Sequence, residues 1–302
     1  MTFDLGEVLG RAWQITWKNK VLWVFNMLPA LLNLLFIPIV FIPMFFIGPN
    51  SLINQDFVDQ PYYVSLFLGT NLALTVLSVL FYAAGSASAY LGILRAESGR
   101  AQLPFRDLFQ DGLKYFWRIL GITLLVGAAA SAVFLLVFGC MILFGMATLG
   151  LGMICLQPLF LLLYPAMLIA YALIEQSQAG VVADNLGLIE ALWRGAALIR
   201  AHFWRFFLIA LVIYFGLFIL SAIALLPFMV PFFFLPLIMG GDPSSLDPQG
   251  IGWVLLMISI LFLPVLALIQ GLSLTFMKSA FMILYLRLTR PIGLLAAPQS
   301  LS

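Results

Sequence analysis

Six apolar runs, at roughly 21–47, 62–94, 119–147, 151–174, 206–239 and 251–286, leave this chain few ways to fold. About 20 apolar residues suffice to cross the hydrocarbon core of a bilayer as a helix. Residues of 64% hydrophobic and 9% charged character contrast with soluble domains, in which about a quarter are charged. The expected fold is therefore an all-α integral membrane protein with six transmembrane helices. Several runs exceed the minimum and should tilt, kink or project. Prolines 29, 38 and 43, 158 and 165, 227, 231 and 236, and 264 are the expected kink points. The start, with Asp4 and Glu7 ahead of any base and no small-residue cleavage site after the first run, does not resemble a secretory signal.

Charge sets the expected topology. All fourteen bases fall in alternate inner segments or at the C-terminal end: Arg11, Lys18 and Lys20; then Arg95, Arg100, Arg106, Lys114 and Arg118; then Arg194, Arg200 and Arg205; and at the C-terminal end Lys278, Arg287 and Arg290. The other loops hold only Asp56 and Asp59, nothing near 148–150, and Asp242 and Asp247. By the excess of bases on the inner side, both termini are expected in the cytoplasm and the protein in the cytoplasmic membrane.

Each odd-numbered span follows a stretch with apolar residues at helical spacing. These are Leu5, Val8, Leu9, Ala12 and Trp13; Phe105, Leu108, Phe109, Gly112 and Phe116; and Leu188, Ala191, Leu192, Gly195, Leu198 and Ile199. With polar opposite faces, each predicts an amphipathic helix lying in the cytoplasmic interface. Asp4 and Glu7 form a capping-box pattern at the start of the first.

The unit is thus interfacial helix, span out, loop, span back. Three such hairpins, at about 1–97, 98–176 and 177–290 with a tail at 291–302, would share one orientation as a parallel repeat within a single membrane domain. Glu-x-Leu-x-Arg-small recurs at 7–12 and 190–195, and the exits "LGILRAE" (91–97) and "LYLRLTR" (284–290) both contain Leu-Arg. Phe-Trp-Arg recurs at 116–118 and 203–205. It places Trp117 and Trp204, like Trp23, at the threshold of a span, where the amphipathic indole prefers the headgroup level. Trp13, Trp17 and Trp193 are expected on the same side, and Trp253 on the other. Arg118 and Arg205 are the candidate ligands for anionic lipid headgroups.

Ionisable residues inside spans are functional candidates, and Lys278 stands alone there. Either the sixth span ends near 274 and residues 275–288 bend along the interface, or Lys278 sits inside the bundle with a partner. Glu175, placed at the end of the fourth span, is the first candidate partner and Glu97 the second. Asn71, Thr75, Ser78 and Tyr82 share one helical face, and Gln270 is a comparable polar group. With Lys278 and Glu175, Asn71 and Gln270 make up a candidate intramembrane polar site; interhelical hydrogen bonding is the commoner use of such groups. Gly85, Ser88 and Gly92, and also Gly127 and Ser131, offer close helix packing. Cys140 and Cys155 suit small apolar packing roles.

Two carboxylates per outer loop make a poor calcium site, the single histidine, His202, excludes sites needing two imidazoles, and catalytic motifs are absent. The bases are dispersed among eight carboxylates, unlike a nucleic-acid surface. No metal, cofactor, nucleic-acid partner or enzymatic activity is expected. Membrane lipids are the expected partners, with a membrane protein as the other candidate.

The stretches "LGEVLGRAWQITWKNKVLW" (5–23), "FRDLFQDGLKYFWRILG" (105–121) and "NLGLIEALWRGAALIRAHFWRFF" (185–207) resemble prokaryotic six-span membrane proteins related to the membrane domain of some glycerophosphodiester phosphodiesterases. That enzyme's soluble barrel, with its acidic and histidine metal ligands, has no counterpart here, so the resemblance implies the membrane architecture without the activity. The expected function is non-catalytic binding of lipid or a membrane partner. The alternative is a transporter or channel with a pathway between the repeats. Lys278→Met separates the two: loss of a transport phenotype at normal membrane levels points to the pathway, and an unchanged phenotype points away from it.

Overall fold

In a computed structural model, residues 5–32, 61–99, 103–148, 151–238 and 248–289 are described. They are helical with short connections, and no strand occurs among them. The helices are α1 (Leu5–Lys18), α2 (Val21–Leu32), α3 (Pro61–Glu97), α4 (Phe105–Gly112), α5 (Phe116–Ala147), α6 (Leu151–Ala183), α7 (Leu188–Ala201), α8 (Phe203–Ile238) and α9 (Pro248–Thr289). A single 3-10 turn, Leu113–Tyr115, joins α4 to α5.

Five helical stretches among these residues are long and apolar enough to cross a membrane: Leu68–Glu97, Phe105–Ala147, Leu163–Ala183, Phe203–Leu226 and Leu261–Thr289. The chain accordingly has the character of a multi-pass membrane protein. Of the expected first span only Val21–Leu32 is described, and the remainder lies outside the described residues, as do Asp4, Pro38, Pro43 and the outer-loop aspartates. Helices α6, α8 and α9 continue through Pro165, Pro227 and Pro264.

Two expected boundaries are corrected. The fourth span does not stop near 174: α6 runs to Ala183. It ends there because Asn185 turns left-handed at φ 53°, a conformation asparagine tolerates at a helix C-terminus, and extended Gly187 then starts α7. Likewise the sixth span does not bend away at 275, since α9 is continuous to Thr289. At 1.5 Å per residue the 37, 33 and 42 residues of α3, α6 and α9 extend about 55, 50 and 63 Å. All three exceed the roughly 30 Å hydrocarbon thickness, so their C-terminal turns need not lie in lipid.

The chain divides into two compact units. The first comprises Met1–Asn19, Ser86–Phe215 and Phe276–Ser302, the second Lys20–Gly85 and Gly216–Thr275. In the second, α2 packs by backbone approach. A Cβ at Gly85 would collide with the Phe25 carbonyl oxygen, and one at Gly271 would stand 2.9 Å from the Trp23 carbonyl oxygen and 3.0 Å from Met27 Cβ. These glycines let main chains come together, the advantage small residues give between apolar helices. Asn26 Nδ2 donates to Thr275 Oγ1 at 2.9 Å, and Thr275 Oγ1 in turn reaches the carbonyls of Gly271 (2.7 Å) and Leu22 (3.2 Å).

In the first unit, the C-terminal turns of α3, α6 and α9 form the core, and α1, α4 and α7 lie against it. Ser86–Ile93, Glu175–Val182 and Met277–Leu286 are continuously buried. The amphipathic helices bury a stripe of small and aliphatic residues: Val8, Ala12 and Ile15 on α1, Leu108 and Gly112 on α4, and Ala191, Gly195 and Ile199 on α7. Gly112 and Gly195 are the close-approach points. A Cβ on Gly112 would meet Ser88 Oγ at 2.6 Å and the Ser88 backbone at 2.9 Å; one on Gly195 would meet Ser177 Oγ at 2.7 Å. Ion pairs tie the rim: Arg11 to Glu97 (3.0 Å), Arg287 to Glu7 (2.8 Å), and Arg95 and Lys114 to Asp111 (2.5 and 2.9 Å).

Not every expected packing residue packs. A Cβ at Gly127 would meet nothing within 4 Å, Ser131 is exposed, and the Cys140 thiol is exposed rather than buried. These positions face outward on α5, where lipid tails would cover them. The contrast is testable by thermal unfolding in detergent: Gly271→Leu is expected to destabilise by about 1–3 kcal/mol through overpacking, whereas Gly127→Ala should stabilise by about 0.5–1 kcal/mol.

Candidate functional site

One helical turn of α6, Glu175-Gln176-Ser177-Gln178, is wholly buried. Successive residues of a helix point about 100° apart, so four in a row must face four directions. Each meets a different helix. The Glu175 carboxylate accepts from Tyr90 Oη on α3, and the Glu175 carbonyl also accepts from that hydroxyl at 3.2 Å. Gln176 Nε2 donates to the Phe281 carbonyl on α9 at 3.1 Å. Ser177 lies under Gly195 of α7, and Gln178 Nε2 donates to Thr123 Oγ1 on α5 at 3.1 Å.

Lys278 on α9 is also fully buried. Its ammonium donates to Ser86 Oγ at 2.6 Å and stands 5.3 Å from the centre of the Tyr90 ring, within range of a cation–π attraction. Tyr90 thus bridges acid and base, hydrogen-bonding one and lending its ring face to the other. Of the two alternatives open at Lys278, this is the interior location, with Tyr90 in contact with both Lys278 and Glu175. Glu97 is instead paired with Arg11.

The remaining site candidates fall elsewhere. Asn71 and Gln270 belong to the second unit, half-buried and exposed respectively. Thr75 Oγ1 bonds back to the Asn71 carbonyl at 2.8 Å, so that hydroxyl is satisfied within its own helix. Trp117 and Trp204 are 75% and 71% exposed, and Trp23 is half-buried. The two arginines of Phe-Trp-Arg part company. Arg118 Nη1 is occupied by the α6–α7 connection, donating to Asn185 Oδ1 at 2.7 Å and to the carbonyls of Asn185 and Leu186 at 3.2 and 3.3 Å. Arg118 is therefore a positioning group for that loop as well as a surface cation, whereas Arg205 is exposed.

Ser86, Tyr90, Gln176, Ser177 and Gln178 are the cluster members that inspection of the sequence overlooked. A visible signal was the lack of any proline between 174 and Asp184, consistent with α6 continuing through the polar turn. With every member buried, the geometry suits holding helices in register more than receiving a substrate. Removing one member of a buried, hydrogen-bonded polar cluster leaves its partner unsatisfied at a cost of about 1–3 kcal/mol, while replacing both by apolar groups can be nearly neutral. Glu175→Leu and Lys278→Met should each show a loss of that order in detergent unfolding, and the double variant less than the sum of the two. Lys278→Met consequently reports on stability before it reports on transport.

Searches with protein-family models, among curated proteins and among solved structures find nothing that matches this chain.

Proposed function

We propose that this chain is a non-catalytic, six-span protein of the cytoplasmic membrane, related to the phosphodiesterase-associated membrane domains, that binds anionic lipid through the ring of amphipathic helices on its inner side. The carrying observation is that α1, α4 and α7 are apolar on two sides. One stripe packs on the core. A second, spaced i, i+4, remains exposed: Trp13 and Trp17 on α1, Phe105 and Phe109 on α4, Ile189 and Trp193 on α7. Trp13 and Trp17 stack with centroids 5.4 Å apart, and Phe105 and Phe109 at 6.2 Å. Paired aromatic edges beside Arg106, Lys114 and Arg194 match an interfacial helix, whose rings enter the acyl boundary while its bases meet anionic headgroups.

The three-hairpin reading draws support from equivalent contacts. Ser86 and Glu175 each lie two residues before a serine covered by a glycine of the following amphipathic helix, Ser88 under Gly112 and Ser177 under Gly195. Lys278 precedes Arg287 by the same interval as Ser86 precedes Arg95. The three polar residues thus occupy one position of the repeat, and Lys278 bonds Ser86 directly.

Native mass spectrometry of purified protein after exchange into mixed phosphatidylglycerol and phosphatidylcholine micelles tests the lipid reading. Preferential retention of phosphatidylglycerol is expected, weakened when Trp13, Trp17, Phe105, Phe109 and Trp193 are all changed to Ser. Equal retention of the two lipids, or none of either, would overturn it.

A further inference from the structure

The two copies of Phe-Trp-Arg stand at different heights along α6. Arg118 bonds the α6–α7 connection at Asn185 and Leu186, just beyond the end of α6 at Ala183. Phe203, Phe206 and Phe207 instead lie against Leu168, Ile169 and Ala172. From Ala172 to Ala183 is about 16 Å of helix at 1.5 Å per residue. Helix α7 climbs that interval: Gly195 sits over Ser177, and Ile199 reaches the level of Leu168 and Ala172. Even a tilt of about 40° leaves roughly 12 Å between the two levels. The headgroup layer of one leaflet is about 5–8 Å thick, so Trp117 and Trp204 cannot share it.

Exposed side chains decide which copy meets the bilayer. No charged residue occurs between Arg118 and Glu175. Near the outer end of α5, Leu135, Leu136, Leu143, Phe144 and Met146 are exposed, and lipid must cover them. A span of about 20 residues counted inward from Leu151, where α6 begins, ends near Tyr171, the height of the Trp204 copy. From there Leu208, Leu211, Val212 and Phe215 continue an exposed apolar surface along α8. Trp13 falls at the same height. Gln176 bonds the Phe281 carbonyl and so levels α6 with α9. Phe276 lies outward of Phe281 by the same interval as Tyr171 lies outward of Gln176, and its ring meets Trp13 edge-on at 6.0 Å. Trp17 stacks on Trp13. Trp117 instead follows the ion-paired Asp111 and Lys114.

We infer that the inner leaflet meets this ring along a belt at the height of Trp13, Trp17 and Trp204, and that Trp117 stands clear of the headgroups. The Glu175–Gln178 turn then lies inward of the hydrocarbon, in a head enclosed by protein. The inference rests on the lipid-binding reading and narrows its contact surface: of the two Phe-Trp-Arg copies, only the second touches lipid. Trp193, just before Gly195, falls between the two levels.

The test is hydroxyl-radical footprinting of the unaltered full chain in nanodiscs of phosphatidylglycerol and phosphatidylcholine, with tryptophan oxidation mapped by mass spectrometry. Trp117 and Trp204 are 75% and 71% exposed in the protein alone, so a difference between them reports lipid cover. Trp117 is expected to oxidise severalfold faster than Trp204, with Trp13 and Trp17 protected and Trp193 intermediate. Brominated phosphatidylglycerol should likewise quench a variant retaining only Trp204 and spare one retaining only Trp117. Equal rates at Trp117 and Trp204, or protection of Trp117 alone, would overturn the belt; phosphatidylglycerol still retained in native mass spectrometry would leave the broader lipid reading standing. A protected belt without preferential retention of phosphatidylglycerol would support its location and remove the anionic preference.

Discussion

The polar turn of α6 is the constraint around which the first unit is arranged. In an apolar helix a run of four polar residues cannot turn one face to water. Every side of this turn must find a protein partner or incur the cost of burying a polar group unpaired. Tyr90, Thr123 and the Phe281 carbonyl bond this turn to α3, α5 and α9, and Gly195 of α7 packs closely over Ser177, while Ser177 Oγ and the amide oxygens of Gln176 and Gln178 stay buried with no hydrogen-bond partner among the described residues. Apolar packing among helices is nearly interchangeable in register, because one leucine surface resembles the next. Directional bonds to a particular carbonyl or hydroxyl are not, which gives this turn a specifying role out of proportion to its size.

The amphipathic helices then follow from geometry. Three long helices converging by their C-terminal turns leave outward faces that still carry small residues, Ser88 and Ser177 among them. Covering these requires short helices able to approach closely. Gly112 and Gly195 provide that approach, and Ala12 is the buried small residue of α1. Since one side of each short helix is committed to the core, the large apolar residues spaced four apart are left on the outside, where only lipid or another protein would cover them. The same local pattern therefore serves both folding and the proposed binding surface.

The helices were legible where apolarity continued and illegible where buried polarity interrupted it. Five long apolar stretches and all three amphipathic segments stand out from spacing alone, and α4 and α7 fall where Phe105 and Leu188 begin their patterns. Hydropathy, however, cannot distinguish a polar residue in water from one satisfied inside a protein. Glu175-Gln176-Ser177-Gln178 consequently resembled the end of a span, although the left-handed Asn185 marks the true end. The difference between Arg118 and Arg205 was invisible for another reason. Their local sequences are alike, and only the tertiary position of the 185–186 connection decides that Arg118 is the one to bond it.

The proposed repeat makes sense of the chemistry of its central position. Identical hairpins would place three copies of one residue together, and three carboxylates or three ammonium groups in a dry core would repel one another strongly. Three serines would avoid repulsion but give no directional preference among the helices. Ser86, Glu175 and Lys278 instead combine a hydroxyl, an acid and a base, so that formal charge cancels within the cluster and each helix is chemically distinct. Tyr90 then supplies what the pair lacks, a hydroxyl for the carboxylate and a ring face for the ammonium. Under that reading, divergence of the hairpins at this position is a physical condition for burying polar groups where they meet. The outward apolar edges face no such restriction, and each of the three keeps two large apolar residues spaced four apart.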